Sequence, residues 1–229
     1  MSQRNGNPSV SVIICTKCEE KNLPHILPKI PEWVDEIVLV DGHSTDRTVK
    51  VARQLRPDIR VVYQTGKGKG DALRCGFRHA RGDIVVTIDA DGSMNPGEII
   101  DFVIPLRNGC DFTKGSRFMA NGSTVDMEKH RILGNRLFTL LTNLLYGSKY
   151  TDLAYGYNAF KRRALERMRL KSDGFEIETE MGIKARKTRL RVLEIPSVEQ
   201  KRLSGQSNLN SFRDGWRILK IILKERLHR

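Results

Sequence analysis

Four short apolar runs, separated by segments of helical periodicity, constrain the fold of this chain more than any other feature. Residues 9–15, 36–40, 60–63 and 83–88 are rich in Val and Ile and read as strands. Helical patterns fit between them at 19–27, 44–55 and 69–79, with Ser44 or Thr45 placed to cap the second just before Asp46. Strands that are apolar on both faces and alternate with helices predict an α/β fold: a mostly parallel central sheet with helices on both faces. Pro96 opens a further helix ending near Arg107, and a short strand follows at 111–114. The small, polar stretch 118–127 reads as a mobile loop. After it come a helix at 129–146, a helix at 176–187 and a strand at 191–196. Leu133, Leu137, Leu140, Leu141, Leu144 and Leu145 give the first of these helices one broad apolar face.

A chain of 229 residues can bury a full core. No apolar run approaches the ~20 residues that span a bilayer. The N-terminus is polar, so the expected location is the cytosol. Cys15, Cys18, Cys75 and Cys110 are too scattered for a disulfide framework, and the Cys15–Cys18 pair lacks the second pair that zinc needs. The net charge of +13 favours an anionic partner: nucleic acid, an anionic membrane surface or a phosphorylated substrate. Residues 184–229 carry thirteen Lys/Arg against four Asp/Glu, a net +9 in the last fifth of the chain. Interleaved aromatics and nucleic-acid-binding motifs are missing, so no nucleic-acid partner is expected.

The last helical pattern, 211–227, places Phe212, Trp216, Leu219, Leu223 and Leu227 on one side and Arg213, Arg217, Lys220 and Lys224 on another. Such a basic amphipathic helix suits a membrane surface. It equally suits a terminal helix packed on its own domain.

The chemistry begins where the fourth strand ends, at Ile88-Asp89-Ala90-Asp91-Gly92. Side chains two residues apart on an extended segment point the same way, so Asp89 and Asp91 can converge at the carboxyl end of the sheet, where such folds bind ligands. Two converging carboxylates call for a cation, and Mg²⁺ or Mn²⁺ shared with substrate phosphates is the usual solution. The alternative is a pair of solvated loop aspartates. Glu19 and Asp41 end other strands or open other helices, and as pure acceptors they suit a nucleobase edge or ribose hydroxyls. Gly66-Lys67-Gly68-Lys69-Gly70-Asp71 offers bare backbone and two cations, but it has neither P-loop nor dinucleotide-fingerprint spacing. Arg117, Arg131 and Arg202 could complete a charge clamp. The histidines show no ligand spacing.

These segments together resemble the family 2 glycosyltransferases, and among them the dolichol-phosphate (polyprenyl-phosphate) mannose synthase group. The likeness covers roughly residues 9–209 and rests on SVIICTKCEEKNLP, IVLVDGHSTDRT, GKGKGDALRCGF, IDADGSMNP, KGSRF, DLAYGYNAFKR, DGFEIETEM and RLSGQSNL. It implies a GT-A catalytic domain over 9–209, between a flexible N-terminus at 1–8 and the basic helix at 210–229. It implies an inverting hexosyltransferase that uses Mg²⁺ or Mn²⁺ and a GDP- or UDP-linked sugar, working peripherally at the cytosolic face of a membrane on a polyprenyl phosphate. By position, Thr16, Glu19, Asp41, Lys69, Gly70, Asp71, Asp89, Ala90 and Arg202 would hold the donor. Asp89, Asp91 and Ser93 would hold the metal, and Arg117, Arg131 and Asn135 the acceptor phosphate. If the acceptor were instead a saccharide or other hydroxyl, Asp152 would be the base. Two departures fall where the base is read: Cys15-Thr16-Lys17-Cys18-Glu19 replaces the usual Pro-Thr-x-Asn-Glu, and Asp41-Gly42-His43-Ser44 keeps one of two usual acids. Asn208 stands where relatives often carry a lysine.

Overall fold

The alternating runs assemble into a single seven-stranded sheet, seen in a computed structural model that describes residues 7–227. His228 and residues 1–6 of the expected flexible N-terminus lie outside the described residues. The first half runs β1 (Val10–Thr16), α1 (Leu23–Ile26), β2 (Glu36–Asp41), α2 (Thr48–Leu55), β3 (Arg60–Tyr63), α3 (Lys69–His79), β4 (Ile84–Asp89) and α4 (Ile99–Arg107). The second half adds β5 (Phe112–Ser116), β6 (Ser123–Thr124), α5 (Lys129–Tyr146), β7 (Asn158–Lys161), α6 (Arg162–Met168), α7 (Ile177–Lys187), β8 (Val192–Pro196), β9 (Val198–Glu199) and α8 (Ser211–Leu227).

Strand order is β3-β2-β1-β4-β7-β5-β8, parallel throughout except for β7, which runs against both neighbours. The central parallel strands are fully buried Val/Ile runs because both sheet faces are covered. Residues of α1, α2 and α4 pack on one face, and residues of α3, α6 and α7 on the other. Register matters for the site: Cys15 pairs with Asp89, Thr16 with Asp41, and Asp41 with Tyr63. The carboxyl ends of β1 to β4 therefore share one rim.

Several sequence expectations need correction. The helix expected at 19–27 is reduced to α1 and a 3-10 turn at Leu27–Lys29, since Pro24 and Pro28 withhold two backbone donors. The second helix starts at Thr48, and neither Ser44 nor Thr45 caps it; Asp46 Oδ1 accepts from the Thr48 N–H at 3.0 Å. The stretch 118–127 contains β6, which pairs with β9, and Thr124 Oγ1 donates to Glu199. The leucine face of α5 divides: Leu141 and Leu145 pack with Ile218 and Ile222 of α8 and Ile183 of α7, whereas Leu133, Leu137, Leu140 and Leu144 stay exposed. Helix α8 packs on its own domain through one edge only. Ile218 and Ile222 are buried, while Phe212, Trp216, Leu223 and Leu227 face solvent.

Candidate active site

The rim formed by β1 to β4 encloses a cleft of about 580 Å³, whose walls include Thr16, Glu19, Gly42, Gln64, Lys69, Asp89, Ala90, Asp91 and Arg202. Asp89 and Asp91 both face it, as their alternation on an extended segment requires. Each already has a cation. Lys69 Nζ lies 2.8 Å from Asp89 Oδ1 and 3.0 Å from Glu178 Oε1, so one ammonium bridges two carboxylates. Burial alone would lower the Lys69 pKa, but Asp89 and then Glu178 more than reverse this and keep it charged. Burial raises the Glu178 carboxyl in turn. Gly156 makes room for this cluster, because a Cβ there would sit 2.7 Å from Lys69 Nζ and 2.9 Å from Asp89 Oδ2.

Arg202 reaches from the loop before α8. Its Nη2 lies 2.7 Å from Asp91 Oδ2, and its Nη1 lies 3.6 Å from Glu19 Oε1. Ser93 does not project a free hydroxyl toward a metal; its N–H and Oγ–H both donate to Asp91 Oδ1, at 2.9 and 2.7 Å, and so aim that carboxylate. Among the described residues no three His, Cys, Asp or Glu side chains gather at one point. A cation here would be held by Asp89 and Asp91 with its remaining ligands from substrate phosphates and water, which is how Mg²⁺ and Mn²⁺ are commonly bound. Two hard carboxylates at an open cleft fit that chemistry.

Three residues expected to touch the donor stand behind the wall. Asp41 is buried, with Oδ2 accepting from Ser44 N–H at 3.0 Å, and it fixes the turn after β2. Asp71 accepts from Gly66 N–H at 2.7 Å and lies 3.3 Å from Arg74 Nη2, so it ties down the glycine-rich loop. Gly70 packs against the backbone of Ser172 and Asp173, a contact only glycine allows. Thr16 reaches the cleft while donating from Oγ1 to Val40 O at 3.3 Å.

On the far side of Asp91 the cleft continues through a narrow junction lined by Arg117, Asp126, Met127, Arg131 and Leu209. The junction opens into an apolar cavity of about 630 Å³ between α5 and α8, bounded by Arg131, Gly134, Phe138, Leu153, Phe212 and Ile218 among others. Arg117 lines both spaces, but its guanidinium is committed: Nε donates to Asp152 Oδ2 at 2.7 Å, Nη2 to Asp152 Oδ1 at 3.1 Å and Nη1 to Glu199 Oε1 at 3.0 Å. Asn135 Nδ2 also donates to Asp152 Oδ1, at 2.9 Å. Asp152 is wholly buried. Burial would raise its pKa, but Arg117 outweighs burial and holds it below the usual carboxylate range. This geometry corrects the expectation of Asp152 as a base, since both oxygens are spoken for and neither faces the groove. Arg131 differs: among the described residues its guanidinium has no carboxylate partner, and it stands at the mouth of the cavity.

A sequence model described as glycosyl transferase family 2 matches residues 11–169. The chain belongs to this family. Among curated family members it is 31% identical over 210 residues to a dolichol-phosphate mannosyltransferase from Pyrococcus furiosus, covering 87% of this chain and 59% of the relative. It is 30% identical over 212 residues to a polyprenol monophosphomannose synthase from Mycolicibacterium smegmatis, covering 87% of this chain and 80% of that one. The chain spans only 53–62% of the length of several curated relatives. Among solved structures, glucosyl-3-phosphoglycerate synthase from Mycobacterium tuberculosis, in complex with Mn²⁺, UDP and phosphoglyceric acid, superposes with a TM-score of 0.75 at 22% identity, over 96% of this chain and 78% of that chain. The fold is thus the GT-A fold, and the chain is a family 2 glycosyltransferase.

Sequence reasoning missed Glu178, although its motif was in view, because nothing local reveals that a helix residue will turn inward onto Lys69. It also passed over Gln64 and Phe175, which line the cleft from the end of β3 and the turn before α7.

Proposed function

We propose that this glycosyltransferase moves a sugar from a nucleoside diphosphate to a polyprenyl phosphate at a membrane surface, with inversion at the anomeric carbon. The observation that carries this is the continuous groove from the carboxylate cleft, past Arg131, into the apolar cavity between α5 and α8. A phosphate at Arg131 with an isoprenoid chain in that cavity would match polar to polar and apolar to apolar. The exposed apolar stripes of α5 and α8, beside the basic residues of α8, suit contact with an anionic bilayer. Among the described residues no helix is long and apolar enough to cross one.

Asp89 and Asp91 would hold Mg²⁺ or Mn²⁺ beside the donor diphosphate, where the ion supplies Lewis-acid neutralisation of the leaving group. Arg202 and Lys69, each already at a carboxylate of the cleft, add positive field to the same region. Arg131 orients the acceptor phosphate in line with the anomeric carbon. The acceptor oxygen bonds to that carbon as the bond to the β-phosphate oxygen breaks, and the nucleoside diphosphate departs. A phosphate monoester is ionised at pH 7, so this route needs no base. That accords with the sealed state of Asp152. Transfer to a hydroxyl would instead depend on Asp126, an exposed carboxylate at the junction.

The test is incubation with Mn²⁺, GDP- and UDP-sugars, and either a short-chain polyprenyl phosphate or soluble sugar and phosphoglycerate acceptors. Lipid-linked sugar should form and survive Asp126→Asn. Product only on a soluble hydroxyl acceptor, abolished by Asp126→Asn, would overturn the proposal.

A further inference from the structure

We infer that the basic pocket where α5, α7 and α8 end binds the phosphate of an anionic lipid headgroup. The inference rests on the membrane-surface reading above and adds a second lipid contact, remote from the carboxylate cleft and the apolar cavity.

The pocket holds about 540 Å³, and its lining contains four cations, Arg186, Lys187, Arg189 and Arg226, but no carboxylate. Part of this charge has a structural task, because cations favour helix C-termini and three such ends meet here. Arg186 Nε donates to Tyr146 O, on the last residue of α5, at 3.1 Å. Lys187 Nζ donates to Glu225 O at 2.9 Å and to Glu225 Oε2 at 2.7 Å. The balance still leaves an excess. Four positive charges are offset by Glu225 and by about half a negative charge from each helix end, which leaves roughly +1.5, enough for one phosphate group.

Arg189 and Arg226 carry that excess. Among the described residues neither guanidinium has a carboxylate or hydrogen-bond partner. Arg189 also sits in the left-handed region, at φ 52°, in the turn where its N–H donates to Arg186 O and the Leu190 N–H donates to Ala185 O. Glycine takes such a position at lower cost. An arginine stands there instead, and it lines the pocket.

The surroundings name the source of the phosphate. Leu144 precedes the pocket on α5, Leu223 and Leu227 flank Arg226 on α8, and all three are exposed. The two helices run side by side in one direction: His130 Nε2 meets Ser211 Oγ at 3.0 Å near their starts, and Tyr146 Oη donates to Ile222 O near their ends. Arg131 and the apolar cavity therefore mark one end of the pair and the basic pocket the other, about 22 Å apart along α5. Cationic sites at both ends, with exposed leucines between, suit a helix pair lying flat on an anionic bilayer. A free anion would make no use of the leucines. A nucleic-acid strand needs aromatic faces beside the cations, and the exposed rings of α8, Phe212 and Trp216, lie about 15 Å or more before Arg226.

The experiment is flotation with vesicles of phosphatidylcholine alone or mixed with phosphatidylglycerol, using wild type, Arg189→Asn/Arg226→Gln, and Lys50→Gln/Arg53→Gln. The last variant removes the same charge from the exposed side of α2 and controls for net charge. Wild type should float only with the anionic vesicles. Arg189→Asn/Arg226→Gln should weaken that binding about tenfold or more, at unchanged melting temperature and unchanged nucleotide affinity, and Lys50→Gln/Arg53→Gln should bind like wild type. Inorganic phosphate at matched ionic strength should not release the protein. Equal binding by Arg189→Asn/Arg226→Gln and wild type, an equal loss in both variants, or release by inorganic phosphate would overturn the inference. So would a gel shift with RNA that Arg189→Asn/Arg226→Gln abolishes while flotation stays intact. Failure of wild type to float with any vesicle would instead remove the membrane-surface reading beneath it.

Discussion

Arg117 and Asp152 form a doubly hydrogen-bonded ion pair in the protein interior, with Nε to Oδ2 at 2.7 Å and Nη2 to Oδ1 at 3.1 Å. Removing Asp152 leaves the buried Arg117 guanidinium with Glu199 as its remaining carboxylate, at a cost of up to about 3–5 kcal/mol. Asp152→Ala should therefore lower folding stability by that amount, read from the midpoint of urea denaturation. The double variant Arg117→Met/Asp152→Leu should lose much less than the sum of the two single changes. An additive loss would show that the two side chains do not act as a pair.

The same pair makes stability depend on pH with a definite sign. Arg117 holds the folded carboxyl of Asp152 below its ordinary value, so the unfolded chain takes up this proton first as pH falls. The contribution is fully present above the unfolded pKa of about 3.9 and is lost as pH drops through the lower folded value. The stability gap between wild type and Asp152→Asn should be widest near neutral pH and narrow below about pH 4. Denaturation series at stepped pH would check this.

How far the sequence foretold this molecule depended on the range of the interactions involved. Strands β1 to β4 and helix α3 declare themselves through local apolar runs and periodicity, and Asp89 and Asp91 follow from strand alternation alone. Four-residue β7 escaped because its antiparallel place between β4 and β5 is a tertiary fact with no local period. Asp41, Asp71 and Asp152 sit in the motifs expected of them, yet all three turn inward onto partners in neighbouring loops or strands. Motif position told where these carboxylates are in the chain, not which way they point. The leucines of α5 fail for a related reason, because an apolar face does not say how much of it the rest of the protein will cover.

Gly156→Ala tests the geometry around Asp89. The added methyl would press on Lys69 Nζ, Asp89 Oδ2 and Met94 Cε, at 2.7, 2.9 and 3.2 Å. Long side chains can give way, so the fold should survive with its melting temperature nearly unchanged. The carboxylate would still be displaced, and misplacement on the order of 1 Å at a reacting centre can cost roughly a hundredfold in rate. Steady-state kinetics with the productive donor should show this loss in kcat. Full activity would mean that the Lys69–Asp89 pair is not needed where it stands.

Gly134 lies on α5 with no atom within 4 Å of where its Cβ would project, and it lines the apolar cavity. Gly134→Ala should stabilise the helix by about 0.5–1 kcal/mol, since glycine is the poorer helix former. Gly134→Phe should project its ring into the cavity and fill part of it. If that space takes the isoprenoid chain, the phenyl ring would keep part of the chain in water, and KM for a polyprenyl phosphate should rise about tenfold or more. Nucleotide affinity should stay unchanged. Unaltered kinetics would place the lipid elsewhere.

Leu137 and Trp216 are 56% and 69% exposed on neighbouring helices, so charge at either position meets water and the fold should tolerate it. Contact with a bilayer would change that balance. Burying each side chain in the interface contributes about 1.5–3 kcal/mol, and a glutamate there both forfeits that burial and is repelled by anionic lipid. Leu137→Glu/Trp216→Glu should therefore float with anionic liposomes far less than wild type, at unchanged melting temperature. High salt should weaken wild-type binding only in part, because the basic face of α8 is screened and the apolar stripes are not. Equal flotation of the double variant would assign membrane contact to another surface, and complete release by salt would reduce it to charge attraction alone.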